Sequence, residues 1–445
     1  MSQQPAPELR REIRLHHATA MVVGTIIGAS IFVQQSEITG RVPSMAGAAL
    51  VWLVAGVMTF MGALVTAELA STLPKSGGVY AFLKEAFSPL LGFLWGWAMF
   101  WTMHSGIIAA ISMVFARFVA FFVPLGDMGT KGVAITAILV LSAVNYAGVK
   151  HGSNLQAAFT WVKLLAVVLI IAVGFALGEP PAVPAEVVAD PGLLGGGNGS
   201  DFMLALVAAL FAFGGWHMVT YNAGETVEPR KTIPRALTIG VIVVTASYVA
   251  LNAVYFYVLP LQTVITSDRV AADAADAVLG FGGGAAMSGL VLFSTFGALS
   301  GIVLAGPRVY YAMARDGVAF RWLGELHPTR RTPHHAILLQ GVWASVLVGW
   351  GSYRTLFTRV VYTEWIFFGM MALGVYVLRR RTDVKRDYSV WGYPVVPGLF
   401  AFAAFAIVIN QLVATPLDSA LGLGFVLLGV PVYYIWMRLG HGQPR

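Results

Sequence analysis

Two short stretches hold residues that could do chemistry with backbone rather than with reactive side chains. The first is Gly24-Thr25-Ile26-Ile27-Gly28-Ala29-Ser30-Ile31-Phe32; the second is Phe211-Ala212-Phe213-Gly214-Gly215-Trp216-His217. Both interrupt long apolar runs in which a helix would otherwise be continuous. Glycine loosens the helix there, and each backbone N–H or C=O set free in hydrocarbon is costly unless it meets a partner. A half-helix N-terminus presents N–H groups and a partial positive charge, which suits a carboxylate; a half-helix C-terminus presents carbonyls, which suit an ammonium. Two breaks side by side would hold a molecule carrying both groups on one carbon, an α-amino acid zwitterion. The plainer reading of either glycine pair is close helix packing. Two breaks at matching places, each followed by a bulky aromatic, favour binding.

The elements that must position these breaks follow from composition. The chain is 58% hydrophobic and 11% charged, too few polar residues for a water-facing surface. A spanning helix needs about 20 mostly apolar residues. The apolar runs predict helices at 17–40, 45–73, 85–123, 132–149, 154–178, 201–225, 231–260, 284–315, 333–351, 355–379, 393–415 and 418–438. The 85–123 run exceeds one span, so a tilt or an interfacial turn is expected. Segment 74–84 is too polar to span and reads as a cytoplasmic loop, while 261–283, with Asp268, Asp273 and Asp276, reads as a short interfacial helix. With the N-terminus inside, Arg41, Lys131, Arg269, Arg354 and Arg359 are the basic residues outside; Arg117 and Lys163 lie within spans, and the rest of the 28 fall inside. This bias predicts twelve spans with both termini cytoplasmic. It also gives the net charge of +7 a topological role rather than a nucleic-acid one. The chain has no cysteine, so a disulfide-linked subunit and thiol chemistry are excluded. Glu8 and Glu12 among the first residues argue against a cleavable signal.

The two breaks lie five spans apart. An odd separation inverts the second copy across the membrane, the pattern of an inverted repeat with discontinuous helices meeting near the midplane. The expected organisation is a cytoplasmic segment 1–16, a first repeat 17–178, an extracytoplasmic loop 179–200, a second repeat 201–380, two further helices in 381–438 and a tail 439–445.

Charges inside spans are costly and mark function more often than not. Lys163 sits in the middle of the fifth span and should face the bundle interior, as a structural strut or as a proton carrier. His217 follows the second break and is placed to touch a substrate side chain, while His104 reads as a packed, hydrogen-bonded residue. Glu225 and Glu228 sit beside Arg230, Lys231 and Arg235 and read as an ion-pair cluster that latches an inner gate; the alternative is a solvated turn. Glu68 reads as a structural partner for loop backbone or a basic residue, and Glu364 as an acid near the outer vestibule. Ser294, Thr295 and Ser300 either line a pocket or pack.

Taken together, GTIIGASIF (24–32), ELASTLPKSGGVYAFL (68–83), WVKLLAV around Lys163, FAFGGWHMV (211–219), ETVEPRKTIPRA (225–236) and STFGALSGIVLAGPRVYYAMARDG (294–317) resemble the amino acid–polyamine–organocation superfamily, within it the bacterial relatives of the L-type amino acid transporters. The resemblance runs from Leu15 to about Asn410. It implies an all-α membrane protein with the leucine-transporter-like 5+5 inverted repeat, broken helices 1 and 6, and alternating access. It also implies a substrate carboxylate at the N–H groups of Gly28, Ala29 and Ser30, and an amino group at carbonyls near Ile26, Phe211, Ala212 and Gly214. Phe211 resembles the aromatic gate. Lys163 stands where sodium-coupled relatives place sodium, so sodium-independent transport, by exchange or proton symport, is expected. Ser30 stands where relatives often carry glycine, which leans the expectation toward small or neutral amino acids.

No cofactor is expected, and the partners are the amino acid, lipid and, for symport, the proton, in a monomer or homodimer of a bacterial inner membrane. An amine exchanger on the same fold would need more carboxylates than Glu364. A membrane-embedded enzyme is disfavoured, because no His-Glu-x-x-His, paired aspartates within spans or Gly-x-Ser-x-Gly occurs.

Overall fold

The helices start and stop at residues whose chemistry requires it. A computed structural model describes residues 9–28, 30–181, 192–267, 269–280, 282–351, 353–381 and 386–439. Ala29, Asp268, Lys385, part of the 179–200 segment, both chain ends and the side chains of Arg354 and Arg359 therefore lie outside the described residues. In chain order the helices are α1 (Leu15–Ile26), α2 (Ser30–Arg41), α3 (Met45–Thr72), α4 (Val79–Ala86), α5 (Pro89–Trp101), α6 (Met103–Phe122), α7 (Asp127–Ala147), α8 (Val149–Leu177) and α9 (Gly199–Ala212). A 3-10 helix (Trp216–Glu225) follows, then α10 (Pro229–Val258), α11 (Leu261–Thr266), α12 (Val270–Leu279), α13 (Gly283–Ala305) and α14 (Pro307–Arg315). The last four are α15 (His334–Trp350), α16 (Tyr353–Arg379), α17 (Val395–Ala414) and α18 (Pro416–Arg438). Among the described residues no β-sheet forms.

Local chemistry sets these boundaries. The Ser44 hydroxyl accepts from Gly47 N–H at the head of α3. Asn198 accepts from the N–H groups of Ser200 and Asp201, and the Asp201 carboxylate accepts from Asn198 N–H, closing a capping box at the head of α9. Proline opens α5, α10, α14 and α18, where its missing N–H costs nothing.

Ten helical segments among the described residues are long and apolar enough to cross a membrane, which makes the chain an integral, multi-pass membrane protein. Their burial sorts them into core and periphery. The apolar windows of Leu15–Phe32 and Gly199–Glu225 are 76% and 78% buried, against 22% for Val149–Leu177 and for Pro416–Arg438. An apolar helix so little covered by protein has lipid as its neighbour. The two interrupted segments therefore lie innermost, and α1 packs on α10, α8 and α13.

Two segments differ from the expectation. The 85–123 run is not one helix. It breaks at Thr102, whose hydroxyl donates to Ala98 O at 2.9 Å, a back-bond that bends helices. Segment 74–84 is not a loop throughout: α4 packs against α5 and α16 through buried Val79, Phe82 and Leu83, an apolar stripe at helical spacing. Burial, with the Asp316 carboxylate beside it, pushes the Tyr80 phenol up, so its hydroxyl stays a donor to Asp316 at 2.6 Å.

Ion pairs bind the end of the bundle where α3, the 3-10 helix and α16 terminate. Glu225 receives Nε and Nη2 of Arg308 at 2.8 and 2.9 Å, with both side chains fully buried. The Glu225 carbonyl accepts from the N–H groups of Glu12 and Ile13 at 2.9 and 3.0 Å, and Val227 N–H donates to Ile13 O, so the N-terminal segment is strapped to the same turn. Glu68 receives Arg379 in a second fork, 2.7 Å on each arm, and accepts from Val390 N–H at 2.6 Å. The expected cluster of Glu225 and Glu228 with Arg230, Lys231 and Arg235 is not what forms. The 3-10 winding turns Glu225 inward to Arg308. Glu228 is exposed in the left-handed region, φ 45°, at the start of α10, and Arg230 donates to Ser71 O at 2.9 Å.

Removing one partner of a buried pair leaves the other charge uncompensated, at about 3–5 kcal/mol. Arg308→Ala should therefore lower the unfolding midpoint of the detergent-solubilised protein sharply. Glu225→Gln combined with Arg308→Met should recover most of the loss. A double variant as unstable as Arg308→Ala would show that volume, not charge, is decisive here.

Candidate functional site

The helix broken after Ile26 leaves carbonyls without a following turn to bond. Lys163, on α8, reaches into that gap. Its Nζ donates to Gly24 O at 3.0 Å and Ile27 O at 2.6 Å on the α1 side, and to Ser294 O at 3.2 Å on α13. The three carbonyls match the three N–H donors of an ammonium. Lys163 is 1% exposed, while its α8 neighbours Trp161 and Leu165 are 52% and 61% exposed, so the lysine lies on the one face of that helix that meets the core.

The second break follows the same logic with different partners. After α9 ends, Gly214 N–H bonds back to Phe211 O at 3.0 Å, and Gly215 adopts φ 101°, a region that side chains rarely enter. A Cβ on Gly215 would also lie 3.2 Å from Cβ of Thr25. The Thr25 hydroxyl sits 3.3 Å from Gly215 O, so the two breaks touch one another. Tyr248 on α10 joins them again: its hydroxyl lies 2.9 Å from both Ile26 O and Ala212 O and can donate to one at a time.

Between the breaks lies a cavity of about 30 Å³, room for one or two waters; an amino acid would need the surrounding helices to move apart. Ile26, Gly28, Ser30, Phe211 and Gly214 line it, together with Thr25, Ile107, Ile111, Trp216, Met218, Glu364, Trp365 and Phe368. A Cβ built on Gly28 meets nothing nearer than 3.5 Å. That glycine is therefore not demanded by packing; its bare Cα leaves room in the cavity.

The other expected site residues fall elsewhere. His217 does not line the cavity. The winding after Gly215 turns its ring one layer back, 4.7 Å from the Phe368 ring and 5.5 Å from that of Tyr221. Ala212 offers its carbonyl to Tyr248, and Glu225 and Glu228 belong to the end of the bundle. Glu364 is the residue that sequence reading undervalued: it is 8% exposed and lines the cavity. The signal was there, an acid inside an apolar run. Trp365 and Phe368 gave none, since aromatic residues occur on most helices of this chain. His104 is hydrogen-bonded, with Nε2 2.8 Å from Ile302 O.

Comparison with known proteins gives a consistent answer. The family model for amino acid permeases matches residues 13–435. The serine/threonine exchanger SteT of Bacillus subtilis is 32% identical over 432 residues, covering 96% of this chain and 97% of the relative. The large neutral amino acids transporter small subunit 2 of Oryctolagus cuniculus is 32% identical, over 97% of this chain and 82% of the relative. The human cystine/glutamate transporter is 28% identical, over 99% and 88%. These relatives are transporters and not enzymes. With a membrane-embedded bundle whose two innermost segments are both interrupted at one cavity, the chain belongs to the amino acid permease family of the amino acid–polyamine–organocation superfamily.

Proposed function

We propose that the chain exchanges small neutral amino acids across a bacterial inner membrane, by alternating access and without sodium. The observation that carries this reading is the pairing of the two helix breaks at one cavity, with Gly28 and Ser30 on one side and Phe211 and Gly214 on the other. The first N–H groups of α2 have no intrahelical partner and suit the carboxylate. The carbonyl side of the breaks, at Ile26, Phe211, Ala212 and Gly214, suits the amino group. The Tyr248 hydroxyl, which donates to one carbonyl at a time, would yield the second to the incoming ammonium. Ser30 adds a hydroxymethyl group to the cavity wall, which leaves less room for a bulky apolar side chain. Phe211 is the aromatic gate in this scheme.

Lys163 supports sodium independence. Its ammonium already occupies the carbonyls at the end of α1, where a metal cation would otherwise be needed, and three bonds hold it as a strut between α1 and α13. Exchange rather than symport is favoured by that fixed geometry and by relatives such as the serine/threonine exchanger. In this reading the chain has twelve spans in two inverted repeats of five, 17–178 and 201–380, plus two helices, with both termini cytoplasmic. The Glu225–Arg308 and Glu68–Arg379 pairs then lie at the cytoplasmic gate.

Three measurements test this. Labelled serine or alanine should enter sodium-free proteoliposomes only when amino acid is trapped inside; uptake into empty vesicles driven by a proton gradient would replace exchange with symport, and no uptake at all would end the assignment. Lys163→Met strands buried carbonyls at roughly 1–3 kcal/mol, about one decade or more in transport rate, and sodium should not restore it. Gly28→Ala should fold normally but raise KM severalfold, the added methyl filling substrate space; an unchanged KM would put the substrate elsewhere.

A further inference from the structure

Glu364 is the sole ionisable side chain lining the cavity among the described residues. It is 8% exposed, and it has no hydrogen-bond or ion-pair partner among the described residues. Among the described residues its surroundings offer no cation. Tyr221 of the 3-10 helix is within its electrostatic reach. His217 lies behind Phe368, and His104 on α6 is bound to Ile302 O. On the other elements packed against α16, Glu68 of α3 is forked with Arg379, Lys84 of α4 pairs with Asp316, and Asp201 caps α9. Asp418, Tyr433 and Tyr434 of α18 and Tyr310 of α14 do not line the cavity. Lys163 is bound to three carbonyls and does not line the cavity either.

A carboxylate without a cation in a water-poor site is neutralised by a proton or by a positive group that enters beside it. The zwitterion itself brings no net charge, and its ammonium is addressed by the backbone carbonyls. The compensating charge must come from something else. We propose that Glu364 sets the charge of the cargo, so that the occupied cavity holds one positive charge opposite this carboxylate, brought either by a proton accompanying a neutral amino acid or by the side-chain cation of a basic amino acid. This rests on the reading of the paired breaks as an amino acid site, and adds a second cargo class to it. The aromatic walls of Trp365 and Phe368 would hold the aliphatic stem of a basic side chain and leave its cationic tip to Glu364.

The two cargo classes then depend on pH in opposite directions. Protonated Glu364 accepts a neutral amino acid, and ionised Glu364 accepts a basic one. In proteoliposomes of the wild-type chain, apparent affinities for labelled alanine and arginine are measured at about pH 6 and about pH 8, together with inhibition of each by the other. The arginine-to-alanine affinity ratio should rise by about tenfold or more with pH, with mutual competition at one site. Glu364→Gln should lower that ratio at the higher pH by at least a similar factor and flatten its pH dependence. If Glu364→Gln transports nothing, the opposed trends of the wild-type chain still decide. Parallel trends for the two substrates, arginine that neither enters nor competes, or a Glu364→Gln ratio equal to that of the wild type would overturn the proposal. Alanine uptake would in each of those cases leave the permease reading intact. Failure of the wild type to take up any amino acid would overturn both.

Discussion

Backbone groups set free inside a membrane have no water to bond, and this constraint organises the centre of the molecule. Two helices are interrupted there, and side-chain donors gather at the released carbonyls. Lys163 takes Gly24 O and Ile27 O; Tyr248 reaches Ile26 O and Ala212 O; Thr25 approaches Gly215 O. These donors come from α8, α10 and α1, so satisfying the breaks fixes how those helices surround them. Close approach is needed as well. A Cβ at Gly24 would lie 2.1 Å from Thr160 Oγ1, and one at Gly301 would lie 2.6 Å from Gln156 Nε2. Small residues where α1, α8 and α13 meet let the lysine stem reach the carbonyls.

A structure so bound at its centre still has to open for cargo, and the way charge is distributed shows where rigidity ends. Glu225–Arg308 and Glu68–Arg379 are forked pairs between segments remote in sequence, 83 and 311 residues apart. The first also anchors the N-terminal segment through Ile13. Charge pairs bond strongly at one geometry and lose little to partial hydration once separated, unlike a packed apolar seam. The bundle is thus held at one end by interactions that water can replace, and at its middle by interactions that it cannot.

The breaks were legible in the sequence because glycine is a direct statement about backbone. Lys163 was legible because a lone charge in an apolar run has few places to go. Partners were harder. Nothing near Glu225 in the chain points to Arg308, and the adjacent Arg230, Lys231 and Arg235 offered a nearer and wrong match. The 3-10 winding after Gly215 decided the matter, and its pitch is not encoded in any local pattern. The same winding carried His217 behind Phe368 instead of into the cavity. In α4, the polar count of 74–84 hid an apolar stripe, Val79, Phe82 and Leu83, that only a helical period reveals.

Glu364 and Lys163 make the contrast that matters most for function. Both are ionisable, both are buried, and both were visible as charges inside apolar runs. Lys163 is bonded by three carbonyls from two helices, which leaves it no freedom and no unmet need. Glu364 faces a cavity walled by Trp216, Trp365 and Phe368, rings that carry no positive charge to pair with a carboxylate. A buried charge with its partners built in holds a structure together. A buried charge without such partners among the described residues stays responsive to what enters the cavity, which is the role proposed for Glu364. Lys163 is thus fixed in the frame, while Glu364 faces the cavity.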